Sequence, residues 1–167
     1  RGAVKALMQV VQAARSHDHS LVVPMQAPNS VLNQKISRNR RFATQQFKVE
    51  RLKRVAKASH GTLNDVVLAL CAGALRRFLQ EQDGLPTEPL TAMLPVNIRP
   101  KDDPGGGNAV GAILASLATD ITDPIERINT IIGSTTRAKE QLQGMSKSTI
   151  LQFTSMLMAP MLLSQIP

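Results

Sequence analysis

Between Gly61 and Leu70 the chain reads Gly-Thr-Leu-Asn-Asp-Val-Val-Leu-Ala-Leu, a capped helix start that turns apolar at once and carries a neutral amide beside an acid. No other stretch restricts local structure as tightly. Thr62 is a good N-cap, Asp65 stands where a capping-box acid stands, and a first-turn acid complements the helix dipole by roughly 0.3–1 kcal/mol. Stepping about 100° per residue from Leu63, Val66, Val67, Leu70, Ala74 and Phe78 form a stripe that predicts the core face, widened by Cys71, Leu75 and Leu68. Asn64 falls on that apolar flank, and Asp65 falls on the opposite side with Ala69 and Arg76. The expectation is therefore an inward Asn64 and an outward Asp65. An amide directed into apolar surroundings without partners costs roughly 1–3 kcal/mol and is kept when something specific accepts its hydrogen bonds. Asn64 is thus a candidate functional residue, while Asp65 reads first as a cap.

The helix is expected from Leu63 to about Gln82, where Asp83-Gly84 and Pro86 end it. Upstream, Gly2 to Ala14 reads as a helix, Arg15 to Asn29 as a linker, Arg41 to Val49 as a strand, and Glu50 to Ser59 as a basic amphipathic helix with Leu52, Val55 and Ala56 inward. Downstream, Leu90 to Ile98 alternates apolar and other residues, predicting a half-buried strand, bulged or at an edge near Pro95. Ala109 to Ala118 is nearly continuous in small and branched apolar residues, as a strand covered on both faces would be. Asp123-Pro124-Ile125-Glu126 supplies an N-cap, a proline at N1 and an acid at N3, opening a helix to about Gln143 with Ile125, Ile128, Ile131, Ile132 and Leu142 inward. Strands and helices intermix without regular alternation, so the fold class is α/β with a mixed sheet rather than a doubly wound one.

Composition narrows the function classes. At 167 residues the chain suits one domain, and its mean hydropathy of −0.08 describes a globular protein. Twenty Lys and Arg outweigh 12 Asp and Glu, but four Phe and no Trp or Tyr leave few platforms for stacking bases, so nucleic acid is not an expected partner. Anionic membrane surfaces are a better match. The apolar run Thr149 to Leu163, interrupted by Pro160, is short of a spanning segment, although its methionines could make a peripheral greasy contact. Cys71 reads as a small core residue, and a single cysteine permits no internal disulfide, which fits a reducing, cytoplasmic setting. His17 and His19 lack further ligands nearby, so no metal site is expected. The Pro104-Gly105-Gly106-Gly107 loop is not followed by Gly-Lys-Ser/Thr and meets Val110 where a third dinucleotide-binding glycine would stand, which argues against a nucleotide site.

Several segments taken in order carry a resemblance: Leu32-Asn33, Arg40-Arg41-Phe42-Ala43, Thr62-Leu63-Asn64-Asp65-Val66-Val67-Leu68-Ala69 with Gly73-Ala74-Leu75-Arg76, Leu94-Pro95-Val96-Asn97-Ile98-Arg99, and Gly107-Asn108. Together they resemble the bacterial wax ester synthase/diacylglycerol acyltransferase family, a branch of the chloramphenicol-acetyltransferase-like superfamily. The resemblance implies a condensation-type subdomain belonging to a two-subdomain enzyme, with residues 1–29 as a connecting helix and linker and 30–167 as part of the second subdomain. It implies acyl-coenzyme A as co-substrate, no bound cofactor, and a fatty alcohol or diacylglycerol as acceptor. Asn64 and Asp65 match the family's Asn-Asp motif, and Arg99 and Asn108 stand at the ends of expected strands, which makes all four candidates for supporting the active site. The family's His-His-x-x-x-Asp-Gly signature, whose second histidine is the general base, is absent: His17, His19 and His60 form no such pair. No catalytic residue is therefore assigned here, and the expected partner is the remainder of the same enzyme carrying that motif, with peripheral attachment to membrane or lipid inclusions. A noncatalytic condensation-like module binding a lipid or protein partner is the alternative.

Overall fold

A computed structural model describes residues 22, 27–35, 37–98, 110–143, 145, 148–150, 152, 154 and 155. The expected helix at Gly2 to Ala14, His17, His19, the glycine loop, and the methionines of the Thr149 to Leu163 run lie outside these residues. The chain divides into two compact units, one of Ala27–Leu90 with Leu117–Gly133, the other of Arg1–Gln26 with Thr91–Ser116 and Ser134–Pro167.

In the first unit, a 3-10 turn at Val31–Asn33 precedes helix α1 (Val49–Ala58) and helix α2 (Leu63–Glu81). Both helices end in the same way. Past α1, His60 takes φ 54°, and the Gly61 and His60 N–H groups donate back to the carbonyls of Ala56 and Lys57 at 2.9 and 3.3 Å. Past α2, Asp83 takes φ 50°, and Gly84 and Asp83 donate to Leu79 and Gln80 at 2.9 and 3.1 Å. These are Schellman closures, in which a left-handed residue turns the chain and satisfies carbonyls that the helix leaves unpaired. Gly61 has a second constraint, because a Cβ there would stand 2.6 Å from Ile132 Cδ1. Ile132 borders the small core formed by Ala56, Val66 and Ile128 with Leu52 and Ala69. Leu52 and Ala56 face inward as expected, but Val55 is exposed.

The second unit contains strands β1 (Thr91–Asn97) and β2 (Val110–Ser116), paired antiparallel with Thr91 opposite Ser116 and Pro95 opposite Ala112. The period-2 reading of β1 holds: Ala92, Leu94, Val96 and Ile98 are half-buried, while Met93, Pro95 and Asn97 are exposed. Pro95 sits in a continuous register without a bulge, which this sheet permits because among the described residues each strand is paired on one side only. β2 is buried over nearly its whole length. Helix α3 (Pro124–Gln143) starts under its predicted cap, with Asp123 Oδ1 accepting from the N–H groups of Ile125 and Glu126 at 2.9 and 2.8 Å. Its second half lies in this unit, where Ala138 and Leu142 pack with Ile113 and Ile150, and Ser134 Oγ accepts from Ser116 N–H at 2.9 Å.

Two further expectations about these elements fail. Residues 41–48 form no strand and are exposed throughout, because an extended segment needs a neighbouring strand to take its backbone hydrogen bonds and none pairs with it among the described residues. Ile125 is 67% exposed rather than inward. It occupies the first turn of α3, ahead of the buried Ile128 and Ile131.

Candidate functional site

Helix α2 is apolar on two faces, and this chain covers the one that the stripe argument did not choose. Asp65, Val66, Leu68, Ala72 and Leu79 are buried. Leu63, Val67, Leu70 and Phe78, at 40–45% exposure, and Cys71 and Ala74 form the solvent side. The predicted core stripe is therefore corrected for Val67, Leu70, Ala74 and Phe78, and Cys71 is not a core residue, while Val66 and Leu68 are buried and Leu75 half-buried as expected. Polar contacts hold the same rotation as these buried apolar residues. Arg76, placed by the wheel on the outer side, donates from Nη1 to the carbonyls of Thr119 and Asp120, the latter at 3.0 Å, and from Nη2 to Thr122 Oγ1 at 2.8 Å. Buried Arg127 grips the same turn through the carbonyls of Ile121 and Thr122 at 3.3 and 2.9 Å. Thr119, wholly buried, accepts from Leu90 N–H at 2.8 Å.

The Asn-Asp pair is divided by this rotation in the sense opposite to the expectation. Asp65 is the inward member, 2% exposed. Its carboxylate Oδ2 accepts from Thr62 N–H at 2.8 Å and from Thr62 Oγ1 at 2.6 Å, while the Asp65 N–H donates to Thr62 Oγ1 at 3.3 Å. That is a closed capping box whose acid is held in the protein interior, where a charge persists only when hydrogen-bonded or paired. Asn64 is exposed. It does share a side with Leu63, Val67 and Cys71, but that side is not the core of this chain. The geometry thus presents an amide at the N-terminal end of an uncovered apolar helix face.

Arg99 and Asn108 lie outside the described residues. The β1 segment that leads to Arg99 nevertheless borders a cleft of about 530 Å³ in the second unit, walled by Val96, Ile98, Leu142 and Ile150 and carrying the polar groups of Asn97 and Lys139. A volume of this order suits part of a small ligand or an apolar chain. The sequence signal for it was the inward alternation of Val96 and Ile98 together with Leu142. Lys139, in the middle of α3, had no signal of its own. Among the described residues, no group of three or more His, Cys, Asp or Glu could hold a metal ion, and no helix is long and apolar enough to cross a membrane.

The comparisons with known proteins agree over both ends of the chain. Residues 1–67 match the sequence profile of the wax ester synthase/diacylglycerol acyltransferase catalytic domain, and residues 106–166 match that of the WS/DGAT C-terminal domain. A Mycobacterium tuberculosis protein whose assigned name is a diacylglycerol O-acyltransferase is 51% identical over 157 residues, covering 93% of this chain and 31% of the relative. An Acinetobacter baylyi O-acyltransferase is 41% identical over 159 residues, covering 94% of this chain and 34% of the relative. The solved structure of a wax ester synthase/diacylglycerol acyltransferase from Marinobacter aquaeolei superposes with a TM-score of 0.69 at 37% identity, covering 95% of this chain and 32% of that one. The chain spans about a third of the length of these relatives. Two profile matches, the relatives and the shared mixed α/β fold lead to one conclusion: the chain belongs to the wax ester synthase/diacylglycerol acyltransferase family.

Proposed function

We propose that this chain is part of an O-acyltransferase that moves a fatty acyl group from acyl-coenzyme A to the hydroxyl of a long-chain alcohol or a diacylglycerol, giving wax ester or triacylglycerol. Family membership supports the reaction class, and the observation that carries the reading to particular residues is the exposed apolar face of α2 with Asn64 at its end. A helix apolar on both faces belongs between two layers of protein. The second layer is the part of the enzyme bearing His-His-x-x-x-Asp-Gly, which this chain does not contain. Its histidine takes the proton of the acceptor hydroxyl. The oxygen attacks the thioester carbonyl, the C–S bond breaks, and the proton leaves with the coenzyme A thiol, general-base assistance contributing roughly 10²–10⁴-fold. Asn64 orients that histidine region or the substrate, and Asp65 supports the site by fixing the helix start. Arg99 and Asn108 stand as further supporting residues, with 30–167 as part of the second acyltransferase-like subdomain and 1–29 as its connection. Peripheral contact with a membrane or lipid inclusion in the cytoplasm completes the reading, because both substrate chains partition into such phases.

The test is substitution in the complete enzyme. Asn64→Ala is expected to lower turnover at least tenfold, about 1.4 kcal/mol of transition-state stabilisation, and to leave the melting temperature of the 167-residue chain, in which the side chain is exposed, unchanged. Normal turnover in the variant, or a loss that vanishes after correction for unfolded protein, removes Asn64 from the site. The 167-residue chain alone is expected to form no ester, and turnover above a blank would refute the assignment of the base to another segment.

A further inference from the structure

We infer that the basic segment leading into α1, together with the outer face of α1, is the surface by which the enzyme lies on an anionic lipid layer. The inference deepens the peripheral contact proposed above and rests on it. From Lys35 to Lys57 the sequence places nine Lys and Arg against one acid, Glu50, close to half the basic residues of the chain in a seventh of its length. The structure turns them all to solvent: every described residue from Ser37 to Arg51 is exposed, as are Lys53, Arg54 and Lys57. Only Leu52 and Ala56 of α1 turn toward the core, so Arg51, Arg54 and Lys57 project from the far side, with Lys53 on its flank. Among the described residues no carboxylate forms an ion pair with any of the four. Their charge is available to an outside partner.

Charge alone would also suit a soluble phosphate or a nucleic acid. The exposed aromatics decide between them. Phe42 is 91% exposed and Phe47 51%, and Val49 and Val55 are exposed on either side of the cations. Apolar rings left in water and interleaved with Lys and Arg match the region where anionic headgroups meet acyl chains. Phosphate gains nothing from phenyl groups, and two Phe in a segment without Tyr or Trp offer a poor stacking platform for bases.

The complete enzyme is tested by flotation with vesicles of phosphatidylcholine and with vesicles of equal parts phosphatidylcholine and phosphatidylglycerol. Binding to the mixed vesicles at low salt, weakened by about 0.15 M salt where charges more than about 8 Å apart are screened, is the expected result. The combined Arg51→Gln, Lys53→Gln, Arg54→Gln and Lys57→Gln variant should lose roughly 10²–10³-fold in partitioning, about fivefold per cation. Phe42→Ala with Phe47→Ala should lose about tenfold on the same vesicles, rings that insert only in part each contributing well under the value of full burial. Both variants should keep the wild-type melting temperature and the wild-type turnover on a water-soluble short-chain acyl-coenzyme A and alcohol. Vesicle binding by a protein that transfers no acyl group would overturn the enzyme reading and leave this surface intact. Wild-type partitioning by the four-fold variant overturns the surface. So does a raised KM for acyl-coenzyme A with vesicle binding unchanged, which would make the patch a phosphate site, and so does tighter capture of a single-stranded oligonucleotide than of mixed vesicles.

Discussion

Replacing Asp65 by Ala tests the rotation of α2 directly, because the sequence-based phase and the structure give different magnitudes. If Asp65 were an outward first-turn acid, its loss would cost only the dipole interaction, roughly 0.3–1 kcal/mol. The structure has it 2% exposed, with one carboxylate oxygen accepting from both the N–H and the hydroxyl of Thr62. Hydrogen bonds to a charged group contribute roughly 1.5–3 kcal/mol each. Thr62 is itself exposed, so water recovers part of that, and the expected cost is about 2–4 kcal/mol. For a chain of this length each kcal/mol lowers the melting temperature by about 2–4 °C, so a drop of about 5–15 °C is expected. Asp65→Asn keeps an acceptor for the Thr62 N–H without the charge and should cost about half as much. Urea titration followed by helical circular dichroism reads the difference as a shifted midpoint at constant slope. An Asp65→Ala midpoint within about 0.5 kcal/mol of wild type, or a greater cost for Asn64→Ala than for Asp65→Ala, would refute the inward placement.

Gly61→Ala should destabilise by about 1–3 kcal/mol because the new methyl meets Ile132 Cδ1 and Cγ1 at 2.6 and 2.9 Å. Ile132→Val removes Cδ1, so in a double-mutant cycle it should cost less in the Gly61→Ala background than in wild type; simple additivity argues against the contact. On the exposed side of α2, Val67→Ser and Leu70→Ser should each cost under about 0.5 kcal/mol in the 167-residue chain but about 1–3 kcal/mol in the complete enzyme, where the face is proposed to be covered. Equal costs in the two would mean that nothing packs there.

Where local chemistry decides, the sequence was enough. Asp123 before Pro124, the alternation of β1, the apolar continuity of β2 and the Thr62 cap each act within a few residues, and the structure has each of them in place. What escaped depends on neighbours distant in the chain. The phase of α2 is held by Arg76 reaching 43 residues ahead to Thr119, and no periodicity in residues 63–81 contains that information. Arg127 and Thr119 are likewise ordinary surface types whose burial follows from closing one turn, where Ala118 adopts φ 47°. The 41–48 segment has strand-forming residues but no partner strand among the described residues, and β-propensity describes fit to a neighbour rather than a property of the chain alone. The candidate site was legible as a motif, Asn64 beside Asp65, and illegible as a geometry.

That geometry gives adjacent residues separate tasks. Successive side chains on a helix diverge by about 100°, so a helix start that locks one residue inward must turn the next away from it. Asp65 is locked by Thr62, and Arg76, almost exactly three turns later, anchors the same side of α2 to the 119–122 turn. Two polar anchors along one line leave the helix no freedom to roll. The exposed line, running from Leu63 through Val67, Leu70 and Ala74 to Phe78 with Asn64 at its edge, is thereby presented at a fixed angle, opposite the buried Leu68, Ala72 and Leu79. An Asn-Asp pair in this setting is one orienting device: the acid sets the rotation of the helix, and the amide is carried by that rotation to the face on which the rest of the enzyme is proposed to pack.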